Sequence, residues 1–110
     1  MKKVVVNIGL KIKDREPETQ LSRTLSYLLE GVVLTNVRVE EEGIYKGNSE
    51  RTLVAYFEVA SLGLGLFLNT LAWKLNQDAI AYKIDGEGKI AFNPWYKGEE
   101  FLFDQQFFID

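Results

Sequence analysis

Of the side chains that usually carry chemistry, this chain has neither histidine nor cysteine. The commonest general base and the commonest metal ligand are therefore missing together. A transition-metal site would have to be built from carboxylates alone, and proton transfer would fall to Asp, Glu, Lys or Tyr. The sixteen acids form no assembled pair or motif. The expectation is a chain with no catalytic residues, no metal site and no cofactor.

Four local patterns hint at chemistry and fall short. Ser61-Leu62-Gly63-Leu64-Gly65-Leu66 precedes a helical stretch, where backbone amides could cradle a phosphate, but the third glycine of the dinucleotide fingerprint is replaced by Leu68. Asp85-Gly86-Glu87-Gly88 has too few alternating oxygen ligands for a calcium loop and reads as a hairpin turn. Arg51 to Glu58 occupies the position of an RNA-reading strand, yet Thr52, Leu53 and Ala55 stand where glycine and aromatics are needed. Glu40-Glu41-Glu42 is a like-charge run that reads as solvated, with an acidic contact for a basic partner as the functional alternative.

Charge narrows the partners. A net charge of −3 from thirteen basic and sixteen acidic residues disfavours phosphate-driven binding, so nucleic acid is not an expected ligand. The one basic cluster, Lys11, Lys13 and Arg15, is diluted by Asp14 and Glu16. The apolar window Leu62 to Trp73 is far short of the ~20 residues that span a bilayer. The charged residues after Asn7 leave no secretory core near the start. A cytoplasmic protein is the expectation, with no membrane contact.

The hydrophobic period tells which elements would hold any site. Val4, Val6, Ile8, Leu10 and Ile12 alternate with Val5, Asn7, Gly9 and Lys11, which predicts a half-buried strand over 3–13. Pro17 suits a helix start, Leu21, Leu25, Leu28, Leu29 and Val32 form its apolar stripe, and Gly31 would cap it. Alternation over 33–42 and 51–59, around the turn-forming Tyr45 to Ser49, predicts a hairpin. A second helix is expected over 62–76, with Ser61 as N-cap. Strands then follow over 79–84 and 89–92.

The order strand-helix-strand-strand-helix-strand, with an extra strand, predicts one α+β domain of ferredoxin-like βαββαβ architecture. It would be an antiparallel sheet with two helices on one face. The tail beyond it is the unusual part. Residues 92–110 hold seven of the fourteen aromatics, and a segment so rich in rings must pack on something. Val5, Gly9, Val54, Tyr56, Ala79 and Ala81 make the other sheet face small or apolar where a solvated face would be polar. The tail would cover that face, or a second subunit would, as in a homodimer. Burying even four of Trp95, Phe101, Phe103, Phe107 and Phe108 would contribute several kcal/mol at roughly 1.5–3 kcal/mol per large side chain, so the tail is expected to be part of the folded unit.

Residues Asn69 to Tyr82, NTLAWKLNQDAIAY, run from an amphipathic helix through an Asn-Gln-acid corner into a strand. This stretch resembles a segment of small uncharacterised proteins carried by bacteriophages and other mobile elements. The resemblance implies an accessory protein acting in a bacterial host, and it transfers no catalytic residue. The leading expectation is a non-enzymatic interaction protein with a protein partner. The candidate contact residues are Glu40, Glu41, Glu42, Tyr56, Trp95, Tyr96, Phe101 and Phe103. The alternative is a module holding a small molecule between sheet and tail.

Overall fold

The computed structural model describes residues 1–10, 17–45, 48–60 and 63–110. The chain is α+β: strand β1 (Lys2–Leu10), helix α1 (Pro17–Leu29), strands β2 (Leu34–Tyr45) and β3 (Asn48–Val59), helix α2 (Leu64–Lys74), then β4 (Ala79–Ile84) and β5 (Glu87–Phe92). The strands form one sheet in the order β2-β3-β1-β4-β5, antiparallel at every pairing. It is one strand wider than a four-stranded split sheet.

Register fixes which residues share a face, because opposed residues in an antiparallel pair point the same way. Val4, Val6 and Ile8 lie opposite Phe57, Ala55 and Leu53, and Val4 and Val6 lie opposite Ile84 and Tyr82. This is the lower face. It packs against Leu28 of α1 and Leu64, Leu68, Leu71 and Ala72 of α2, forming one continuous core. Phe57, Ile8, Leu53, Leu68 and Ile80 are fully buried there. At roughly 1.5–3 kcal/mol per large side chain, this layer dominates the stability.

Several boundaries differ from the periodicity reading. Over the described residues β1 runs to Leu10; positions 11–13 of the expected strand and the cluster Lys11, Lys13 and Arg15, like the proposed cap Ser61, lie outside the described residues. Helix α1 buries Gln20, Thr24 and Leu28, while Leu29 is exposed. Thr24 fits in the core because its Oγ1 donates to the Gln20 carbonyl at 2.9 Å, the i−4 bond that satisfies a helical hydroxyl. Gly31 is not left-handed. Its role is steric: a Cβ there would fall within the Phe67 ring.

Two corners follow backbone chemistry. Asn76 adopts φ 54, the Gln77 N–H donates to the Ala72 carbonyl and the Asn76 N–H to that of Trp73. This is the Schellman arrangement, with asparagine in place of glycine. Asn76 thus turns α2 into β4, so this part of the Asn69 to Tyr82 stretch builds a corner of the fold. Asp85 and Gly86, at φ 48 and 82, join Ile84 to its partner Glu87. Two positive φ values in a two-residue loop make the turn that matches strand twist. The strand consequently starts at Glu87 rather than Lys89.

Candidate interaction surface

The upper face carries Val5, Asn7 and Gly9 of β1, with Tyr56, Val54 and Thr52 opposite them on β3. Val54 is wholly inaccessible, although it lies outside the core cluster that the two helices pack against. The C-terminal segment covers it. After β5, Asn93 bonds back to Asp78 and Gln77 and accepts from the Trp95 and Tyr96 amides through its side chain and carbonyl. This turn reverses the chain at Pro94. The segment then crosses the sheet strand by strand. Phe103 lies on Gly88 of β5, where a Cβ would fall inside its ring. Phe108, 8% exposed, packs 5.1 Å from Phe103 under the Lys83 ammonium of β4.

The last two residues are tied by polar groups. Asn7 of β1 donates from Nδ2 to the Ile109 carbonyl, and its Oδ1 accepts from the Ile109 N–H, both at 2.8 Å. One side-chain amide thereby reads the backbone of one residue in two directions. Lys83 donates to the Asp110 carboxylate at 2.8 and 3.0 Å. Arg38 of β2 donates to the Asp110 main-chain oxygen, to the Tyr56 hydroxyl and, at 2.6 Å, to Glu40. The hydrogen bond from Lys83 holds the Asp110 carboxyl below its ordinary value of 3.8. Hydrogen bonds to Glu40 and Tyr56 raise the Arg38 guanidinium further.

The eight candidate residues fall into separate places. Glu40 and Tyr56 meet at Arg38, whose Cζ lies 5.5 Å over the Tyr56 ring. Glu41 ion-pairs with Arg51 at 3.3 Å. Glu42 belongs to β2 by its backbone, and its side chain lies outside the described residues. These glutamates stand within a strand that continues to Tyr45, not at a turn. Of the tail candidates, Tyr96 and Phe101 gather against Phe92 at the end of β5, and Phe103 lies over Gly88 of the same strand. With β2 and β5 at the two ends of the sheet, four steps of ~4.8 Å separate them by about 19 Å.

The tail aromatics divide into two sets. Phe92, Tyr96 and Phe101 form a ring cluster with centroids 5.1–6.4 Å apart, and Tyr96 donates its hydroxyl to the Glu99 carbonyl. Trp95 is 71% exposed, Leu102 92%, Phe107 51% and Phe101 37%. Of the five rings Trp95, Phe101, Phe103, Phe107 and Phe108, the tail buries one. Phe108 is buried, Phe103 is partly buried, Phe101 packs edge-on against Phe92 with about a third of its surface left exposed, and Trp95 and Phe107 point outward. The physical reason is that an irregular strap one chain thick has one inner side. Residues on its outer side gain nothing from the sheet.

Among the described residues no group of three or more acids is placed where it could hold a metal ion. No helix among the described residues is long and apolar enough to cross a membrane. Asn7 was the informative residue missed by reading for chemistry. Its signal was present, a carboxamide in a central strand between Val6 and Ile8. No family model matches the chain, and neither a curated protein nor a solved structure resembles it.

Proposed function

We propose that this is a non-enzymatic interaction protein of the phage or mobile-element accessory kind, which binds a host protein through the outer side of its C-terminal tail. Its architecture is read as a ferredoxin-like core of β1 to β4 with both helices beneath, widened by β5. The observation that carries the reading is the exposure of Leu102, Trp95 and Phe107 on a segment that Phe103, Phe108, Ile109 and Asp110 tie to the sheet. Large apolar side chains held outward on a fixed support are what a docking surface requires.

Charge favours a protein partner over nucleic acid. Arg38, Arg51, Lys74 and Lys83 are each engaged by an acid of the same chain, which reduces the cations free to meet phosphates. A second copy of this chain is the competing partner.

The test is capture from a host lysate with tagged wild-type protein and the variant W95A/L102D. Both positions are exposed, so stability should change by no more than about 0.5 kcal/mol per site. The expected result is one stoichiometric partner, held by the wild type and lost by the variant. A partner retained equally by both, or sedimentation showing only self-association, would overturn the reading.

A further inference from the structure

The polar contacts under the tail have a consequence separate from its outer side. Asn7 binds a peptide backbone by both its N–H and its C=O. Lys83 binds the carboxylate that follows, and Arg38 binds the main-chain oxygen of that residue. The ring two residues earlier is buried, and Gly88 leaves room for another five residues before that. These groups hold an aromatic ring, the backbone of the next residue and the aspartate after it, features that any peptide of that chemistry would present. We infer that the upper sheet face is a peptide-binding site, filled here in cis by Phe108-Ile109-Asp110, which accepts in trans a partner segment carrying an aromatic residue and, two positions on, an aspartate.

Charge complementarity supports the occupant. Arg38 and Lys83 stand over this face, and both hold Asp110. Glu40, bound to Arg38, sets the outer limit, since an acid placed beyond Asp110 on that side would meet like charge. The tail then acts as a built-in competitor. A tethered segment has an effective concentration on the order of millimolar, so a free peptide must exceed that or be held by further contacts. The inference stands or falls independently of the outward residues Trp95 and Leu102.

The probe is a fluorescein-labelled peptide with the sequence of residues 103–110, titrated by anisotropy into the full chain and into the full-length variant F108A/D110A, whose own tail has lost its ring and carboxylate. Circular dichroism and the melting curve report whether the variant is folded. The opened variant is expected to bind the peptide at least tenfold more tightly than wild type. Adding N7A or K83E should reverse that gain, and the probe with lysine replacing its final aspartate should not bind. Equal affinity of both chains, or indifference to that aspartate, would overturn the inference. So would self-association of the opened variant in place of peptide capture. If F108A/D110A does not fold, wild-type protein is titrated with several millimolar unlabelled peptide and followed by NMR. Movement of the Asn7 side-chain amide resonances, together with narrowing of the released tail, is expected, and an unchanged spectrum would overturn the proposal.

Discussion

Strand β1 shows two ways of covering a sheet within nine residues. Its downward side chains, Val4, Val6, Ile8 and Leu10, are all apolar and sealed by two helices. Its upward neighbours are Val5, Asn7 and Gly9, sealed by a tail without regular strand or helix save one short 3-10 turn, Gln105–Phe107. The lower layer is continuous and non-directional, so it specifies a shape. The upper layer touches through two rings and closes with directed hydrogen bonds, so it specifies a sequence. A cover of the first kind is part of the core. A cover of the second kind is a ligand that happens to be attached.

The largest expected effect separates the two layers by stability. Phe57→Ala removes a fully buried lower-face ring and should cost about 3–5 kcal/mol in chemical denaturation. It could leave little folded protein, against the ~5–15 kcal/mol of an ordinary domain. Phe108→Ala, on the upper layer, should cost less, about 1.5–3 kcal/mol, and the cooperative transition should survive. If Phe108→Ala proved as damaging as Phe57→Ala, the tail would belong to the core and the contrast would fail.

Much of the lower layer was legible because strands and helices repeat at periods of two and 3.6. The alternation Val4-Val6-Ile8 and the spacing Leu64-Leu68-Leu71 each mark one buried side. The upper layer had only an indirect signal. Val5, Gly9, Val54 and Ala81 are too small and apolar for solvent, which shows that something covers them without saying what. Which tail rings turn inward was not legible, since the strap has no period from which Phe103 and Phe108 could be separated from Trp95 and Phe107. Asn7 stood out as a polar residue among valines, but its partner is 102 positions away. The glutamate run was readable as charge alone. The Arg38–Glu40 pair needs only the i, i+2 spacing of one strand, whereas the engagement of Glu41 by Arg51 depends on the hairpin register and on an irregularity between Glu40 and Gly43.

A smaller effect comes from pH. Asp110 has its pKa lowered by the hydrogen bond from Lys83, so its contribution is present above the ordinary carboxylate range. That contribution is lost as pH falls through the lowered folded-state value. The carboxylate is more than half exposed, and solvent screening keeps the pair modest. Between pH 6 and about pH 2, the tail resonances of the wild type should sharpen before the core unfolds, and Lys83→Met should remove most of that difference. A tail whose resonances hold their linewidths until the core itself unfolds would show that the carboxylate contributes nothing to the closure.

The most direct measurement is native-state hydrogen exchange at two amides, the Ile109 N–H bound to Asn7 and an amide of the central β1–β3 ladder such as that of Ala55. A separable strap should open locally, exchanging Ile109 with a free energy several kcal/mol below that of Ala55. Asn7→Ala should lower it further while changing Ala55 only by the variant's loss of global stability. If Ile109 and Ala55 exchanged with the same free energy, and Asn7→Ala moved both equally, the tail would unfold only with the whole molecule. The upper cover would then be core, not ligand.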